Sequence, residues 1–400
     1  MIEARQFVEA ARGRGFHWYA GVPCSYLTPF INYVLQDRSL RYVSMTNEGD
    51  AVALIAGVAL GGTPGAPAGQ HGRGIAMMQN SGLGNAVSPL TSLTWTFRLP
   101  MLLIVTWRGQ PGVPDEPQHA LMGPVTPEML RTMEIPWELF PADSEAIGPA
   151  LDRAVAHMSE TGRPYALVMR KGTVAPYALE ASGIVNGKGP GTFAAAVVED
   201  YAGDPVDRPS RRAALQEVIA RTPGDSSVVL ASTGFCGREL YALEDRSNQL
   251  YMVGSMGCVL PLALGLALAR PDLRVLAVDG DGAALMRMGA LATAGVYGPP
   301  NLRHLLLDNG VHDSTGGQAT VSGHVAFAAI AASCGYADAL DTDRLESVSR
   351  WLNAPDLRGP RFARLKIRAG TPDGLPRPSM MPVDVKRRLM QHIGSAAGAA

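Results

Sequence analysis

The sequence predicts an α/β protein built from two doubly wound parallel-sheet domains, and three observations carry that expectation. Short, wholly apolar runs alternate with helix-like segments through the first 180 residues. The same alternation resumes after residue 209, and the stretch between is rich in Gly, Pro and Asp. Buried parallel strands read as continuous hydrophobic runs because helices cover both faces of their sheet. The expected layout is an α/β domain over 1–180, a linker over 181–209 and a second α/β domain over 210–390.

Taken along the chain, "MIEARQFVEAARGRG" reads as an amphipathic helix; it carries acids and lacks the apolar core and cleavage site of a signal peptide. The runs "GIAMMQ" (74–79), "PMLLIVTW" (100–107) and "PYALVMR" (164–170) read as strands of the first half. "SSVVLAST" (226–233), "RVLAVDGDG" (274–282), "LRHLLLDN" (302–309) and "RFARLKIRA" (361–369) are their counterparts in the second, although no residue-level repeat relates the halves. The loop 61–74 reads as a mobile surface connection and the terminal "GSAAGAA" as disordered.

Composition excludes several classes of function. Net charge is −1 and no basic cluster persists, so an electrostatic grip on nucleic acid or acidic lipid is not expected. The stretch "CVLPLALGLALA" is too short to span a bilayer and contains Pro261. Cys24, Cys236, Cys258 and Cys334 form no Cys-x-x-Cys pair, which argues against a disulfide framework or thiolate zinc site. Four buried, reduced thiols in a cytoplasmic protein are the expectation, with a small molecule and further copies of the chain as partners.

The most informative stretch is Gly280-Asp281-Gly282, just past the end of "VLAV". In open parallel sheets ligands bind beyond the carboxyl ends of strands. Glycines admit a phosphate or metal close to the backbone, and the following helix offers its N-terminal amides to an anion. The next strand ends in Asp308-Asn309-Gly310, so Asn309 supplies an amide oxygen 28 positions after Asp281. With the carbonyl of Val311 these make an oxygen cage suited to Mg²⁺, completed by diphosphate oxygens and water. The alternative is a strand-to-helix turn with an N-capping Asp.

Gly-Asp-Gly followed by an Asn in this spacing resembles the signature of thiamine-diphosphate enzymes, with Asp308 standing in place of the first of two asparagines. By that resemblance Asp281, Asn309 and Val311 hold Mg²⁺, while Gly254, Ser255, Met256, Gly280, Gly282 and Ala283 contact the cofactor. Glu48, in "MTNEGDAVALIAGVAL", falls where such enzymes carry the carboxylate that hydrogen-bonds the aminopyrimidine and favours the tautomer that removes the thiazolium C2 proton. Its alternative is simple stabilisation of a helix N-terminus. Met256 falls where a bulky apolar residue props the bent cofactor; otherwise it is a core Met.

The linker leaves no room for a middle domain, and over nearly the whole chain the sequence resembles the phosphonopyruvate decarboxylase family. "AGVPCSYLTPF", "NEGDAVALIAG", "MQNSGLGNAVSPLTSL", "WRGQPGVPDEPQH", "STGFCGREL", "DGDGAALMRMGALAT" and "DNGVHDSTGGQ" carry the likeness. It implies thiamine-diphosphate- and Mg²⁺-dependent decarboxylation of 3-phosphonopyruvate to phosphonoacetaldehyde and CO2, in phosphonate natural-product and antibiotic biosynthesis. It also implies a homo-oligomer, at least a dimer, with active sites between subunits. The neighbouring readings are a sulfopyruvate decarboxylase, often two separate chains, or a carboligase of the same cofactor class; a silent thiamine-diphosphate-binding scaffold is a third.

A substrate with a carboxylate and a phosphonate calls for a fixed cation and neutral donors. Arg108, after "MLLIVTW", suits a tetrahedral anion, with Ser25, Gln79, Asn80, Ser81 and His119 as further contacts. Arg108 could instead pair with Asp115 or Glu116, and Asn80 and Ser81 could be turn formers. His312 and Asp313 are placed for proton transfer or form a structural pair. Two departures from the family pattern stand out: Cys24 where an Asp is expected, and Phe235-Cys236 in a stretch where a Lys is expected.

Overall fold

A computed structural model of the chain describes residues 1–62, 72–180, 196–198 and 207–395. They form two compact units that divide near residue 188. Residues 63–71 of the loop read as mobile, 396–400 of the tail, and 181–195 and 199–206 of the expected linker lie outside the described residues.

The first unit holds β1 (Phe16–Gly21), β2 (Arg41–Ser44), β3 (Arg73–Gln79), β4 (Leu102–Thr106), β5 (Trp137–Leu139) and β6 (Tyr165–Met169). These pair in the order β2-β1-β3-β4-β6-β5, every pair parallel. The second unit holds β7 (Ala196–Val198), β8 (Ser227–Ala231), β9 (Gln249–Tyr251), β10 (Arg274–Gly280), β11 (Leu302–Asp308), β12 (Val311–His312), β13 (Gln318–Ala319), β14 (Asp338–Thr342) and β15 (Arg361–Lys366). Its main sheet runs β7-β14-β15-β11-β10-β8-β9, and β12 and β13 make a separate antiparallel ribbon. The expected linker therefore contains a strand, because Ala196–Val198 pair in parallel with the edge of β14.

Counted from their own first strands, both sheets follow one order, 2-1-3-4-6-5, with β7 added outside the second. The halves that share no residue-level repeat thus share a topology. In each the chain leaves its first strand in one direction and returns on the other side, creating a switch point between β1 and β3 and another between β8 and β10.

Burial explains the sequence texture. Every residue of β4, β8 and β11 is buried. The helix Glu48–Gly61 is apolar on all faces and buried from Gly49 to Gly61, as a helix enclosed by a core must be. Its N-terminus is capped by Asn47, whose side chain accepts from the Gly49 amide at 2.8 Å. "VLPLALGLALA" is a buried helix, Val259–Ala269, and among the described residues no helix is long and apolar enough to cross a membrane. No disulfide joins any of the four cysteines; Cys24, Cys236 and Cys258 are buried, whereas Cys334 is only half-buried, so the expectation of four buried thiols holds for three.

Candidate active site

The residues predicted to handle diphosphate and metal meet in the second unit. Asp281 opens the helix Asp281–Met286 at the end of β10. Asn309 and Val311 follow the end of β11. One open cleft is lined by Met256, Gly280, Asp281, Gly282 and Ala283 together with Asn309, Val311, His312 and Asp313. Gly254 and Ser255 belong to the tight loop before Met256. The Gly254 amide donates to Thr233 Oγ1 at 3.1 Å, and Ser255 is held at φ 48°, a conformation costly for a side chain bearing a Cβ. Strain of this kind persists only where surrounding structure imposes it.

Asp281 is 3% exposed. Burial pushes its carboxyl above the ordinary range, opposed by the hydroxyl of Thr320, which donates to it. A buried carboxylate beside a second one, Asp308, is a natural partner for a cation. Among the described residues no group of three or more His, Cys, Asp or Glu is arranged to hold a metal. A hard cation here would therefore use mixed oxygens: one carboxylate, one amide and one carbonyl. The donor set present in the cleft is of that kind, and no soft thiolate or imidazole cluster competes.

Gly282 is required by close approach. A Cβ there would lie 2.5 Å from His312 Cε1, so the imidazole rests directly on the Gly-Asp-Gly turn. Asp313 is not free for proton transfer in this arrangement. Its Oδ2 accepts from Arg211 Nη2 and from Asn309 Nδ2, each at 2.7 Å, and the Gly370 amide donates to it as well. The unexpected Asp308 turns away from the cleft: its Oδ1 accepts from Ser322 Oγ at 2.8 Å and the Gly310 amide at 3.1 Å, and Arg364 lies 3.5 Å from Oδ2. An Asp at 308 is thus a structural anchor for the turn that presents Asn309.

In the first unit Glu48 begins its helix, and its Oε2 accepts from Asn85 Nδ2 at 2.8 Å. Gly82 leaves the room that this carboxylate occupies, since a Cβ at that position would lie 2.3 Å from Glu48 Oε1. Gln79, Ser81 and Cys24 form a small polar chain: Gln79 Nε2 donates to Ser81 Oγ at 2.7 Å, and the Cys24 thiol to Gln79 Oε1 at 3.3 Å. Ser25 and Ser81 are exposed.

Three residues expected on the substrate side have partners or burial that the sequence left open. The Arg108 guanidinium is bound by Asp115 through Nε and Nη2, the Nε bond being 2.8 Å, and lies over the Tyr26 ring. It is an ion pair rather than a free cation, and its hydrogen bonds hold the Asp115 carboxyl far below the ordinary carboxylate range. Asn80 is fully buried and its amide donates to the Arg108 carbonyl at 2.8 Å and Thr126 Oγ1 at 2.9 Å. Its amide nitrogen secures the strand-end loops, while its Oδ1 is buried without a partner. His119 is 4% exposed, with Nδ1 buried and lacking a partner, and its carbonyl packs where a Cβ of Gly109 would lie.

Sequence reasoning missed Arg211, Glu239, Asn85, Gly82 and Thr320. Asn85 and Gly82 lie within "MQNSGLGNAV", so their neighbourhood was flagged; Arg211 lies 102 positions from Asp313 and nothing local marks it.

Residues 233–354 match the family described as thiamine pyrophosphate enzyme, C-terminal TPP binding domain. The chain is 44% identical over 391 residues to a phosphonopyruvate decarboxylase of Streptomyces viridochromogenes, covering 97% of this chain and 94% of that protein. It is 27% identical over 359 residues to a sulfopyruvate decarboxylase of Methanosarcina acetivorans, covering 85% and 84%. Among solved structures, a thiamine diphosphate-dependent 4-hydroxybenzoylformate decarboxylase of Rhodococcus jostii shares the fold, with TM-score 0.66, 14% identity, and coverage of 92% of this chain and 99% of that one.

Proposed function

Since the chain belongs to the phosphonopyruvate decarboxylase family, a group of carboxy-lyases, we propose that it converts 3-phosphonopyruvate to phosphonoacetaldehyde and CO2 with thiamine diphosphate and Mg²⁺. The observation that carries this reading is the single cleft at the ends of β10 and β11 that gathers Asp281, Asn309, Val311 and Met256, within the segment matched to a thiamine pyrophosphate-binding domain.

When bound, the cofactor supplies the electron sink for loss of CO2 from a 2-oxo acid. The chain supplies position and charge. Asp281, Asn309 and the Val311 carbonyl would hold Mg²⁺, and the ion would hold the diphosphate. Met256, which lines the cleft, would prop the cofactor from one side. Glu48 would hydrogen-bond the aminopyrimidine ring and favour the tautomer that takes up the thiazolium proton, and Asn85, donating to its Oε2, fixes the orientation of its carboxylate. His312, seated on Gly282, is the candidate for carrying a proton to the product-forming carbon. Asp313 acts through Asn309 rather than on substrate.

Glu48 and Asp281 lie in different units, and the active centre is assigned to a homo-oligomer in which one protomer contributes Glu48 and another Asp281. Such a product would serve phosphonate natural-product synthesis, and four cysteines without a disulfide fit a cytoplasmic setting. Sulfopyruvate is the second reading, supported by the methanogen relative. The single-chain form does not separate the two substrates, because that relative also spans both halves; the higher identity to the phosphonate enzyme favours phosphonopyruvate. Turnover of both oxo acids, with products identified by NMR in the presence of Mg²⁺ and thiamine diphosphate, tests the assignment. Phosphonoacetaldehyde as the main product is expected; a clear preference for the sulfonate would reverse it.

A further inference from the structure

We propose that Arg211 is a positioning residue for the metal site, acting on Asn309 through Asp313. This rests on the reading of Asp281 and Asn309 as Mg²⁺ ligands. Arg211 is the first residue of the helix Arg211–Arg221, and it is the sole Lys or Arg among the described residues lining the diphosphate cleft. Its side chain is 6% exposed and makes two charge-assisted bonds: Nη1 to Glu239 Oε1 at 2.6 Å and Nη2 to Asp313 Oδ2 at 2.7 Å. The same Oδ2 accepts from Asn309 Nδ2 at 2.7 Å. An amide held by its nitrogen has its oxygen direction fixed. Glu239, in the helix Phe235–Leu243, is 2% exposed and holds the guanidinium from the other side.

The fork geometry matters because Asp313 must serve two donors at one oxygen, while the Gly370 amide reaches both of its oxygens at 3.2 and 3.3 Å. Without Arg211, Asp313 and Glu239 become two buried carboxylates lacking their shared cation, and Asp313 is left with only the neutral Asn309 and Gly370 donors to fix its direction. Partners that orient metal ligands in this way affect metal affinity about 10- to 100-fold. Lys at 211 would keep the charge but could not place two donors in one plane.

The test is equilibrium dialysis of labelled thiamine diphosphate against the full chain over a range of Mg²⁺ concentrations, for wild type, Arg211→Met, Arg211→Lys and Asp313→Asn. The expected result is an Mg²⁺ requirement raised about 10- to 100-fold in Arg211→Met and less in Arg211→Lys, with excess Mg²⁺ restoring both cofactor retention and turnover. Adding Arg211→Met to Asp313→Asn should cost little more, because both act through one contact. Arg211→Lys carries the same prediction if Arg211→Met does not fold. An unchanged Mg²⁺ requirement in the folded Arg211 variants, additive effects in the double variant, or a cofactor loss that Mg²⁺ does not rescue would overturn the proposal. Failure of the wild type to bind the cofactor with Mg²⁺ would instead overturn the underlying reading of the site.

Discussion

Replacing Gly82 by Ala isolates the seating of Glu48 from everything else. Gly82 has φ −72° and ψ −13°, a conformation open to any residue, so the added methyl brings no backbone strain. In an unstrained position Gly→Ala stabilises by roughly 0.4–1 kcal/mol through the unfolded chain. The new Cβ would nevertheless lie 2.3 Å from Glu48 Oε1, 2.4 Å from Cδ and 2.5 Å from Cγ. To regain ordinary contact the carboxylate must retreat by about 1 Å, which a Glu side chain does more cheaply than the backbone. A displacement of that size at a catalytic group costs about 100-fold in rate, near 2.7 kcal/mol of barrier. The assay is steady-state CO2 release beside a thermal melt, with Glu48→Gln as the reference for complete loss. The expected pattern is an unchanged or raised melting temperature with kcat lowered about 100-fold. Turnover within threefold of wild type, in a protein whose Glu48→Gln variant is inactive, would refute the argument that the carboxylate must sit where the glycine lets it.

Other outcomes follow from the same geometry. Asp281→Ala should weaken Mg²⁺-dependent cofactor binding, measured by calorimetry, by more than about 100-fold, because it removes the one carboxylate of the expected ligand set; unchanged affinity would reject that role. Gly282→Ala places a Cβ 2.5 Å from His312 Cε1, and turnover should fall about tenfold or more as the ring is pushed off the turn; wild-type kcat would show that the ring position is irrelevant. Asp115→Asn should lower the urea-unfolding free energy at pH 7 by about 2 kcal/mol, between values for exposed and fully buried pairs. Because Arg108 depresses the folded-state pKa of Asp115, the pair's contribution is present above the unfolded value near 3.8 and is lost as pH falls below it. The gap between wild type and variant should therefore narrow at acid pH; a constant gap from pH 7 to pH 3 would trace it to another cause.

The parts of the fold legible in the sequence are those where local pattern and burial coincide. β3, β4, β6, β8, β10 and β11 are apolar enough to read as buried strands, β15 reads as one through Phe362, Ala363 and Leu365 despite its basic residues, and Asp281 and Asn309 fall directly past two of them. β14 escaped because "DALDT" carries two acids, which argue against a buried strand. Register resolves the contradiction: Asp338 lies beside Arg361 and Asp341 beside Arg364 on β15, and each pair is ion-paired. Such compensation comes from a neighbouring strand and leaves no local trace. Arg108 shows the converse. Its position after a strand suggested an anion receptor, but Asp115, only seven residues on, neutralises it. Residue type and placement could not tell that Arg108 has Asp115 as a partner; side-chain geometry does. The network of Arg211, Glu239, Asp313 and Asn309 joins segments up to 102 positions apart and is invisible until the second sheet is assembled.

The account's central claim is that one catalytic centre draws Glu48 from one protomer and Asp281 from another, and subunit mixing tests it most directly. Glu48→Gln and Asp281→Ala, each inactive alone, are co-expressed with different tags and the hybrid is purified with saturating Mg²⁺ and thiamine diphosphate. In a two-fold dimer with shared centres, one of the two centres in each hybrid regains both native side chains, so the hybrid should show about half of wild-type activity. A hybrid as inactive as its parents, while wild-type chains carrying the same tags assemble and turn over normally, would contradict the claim.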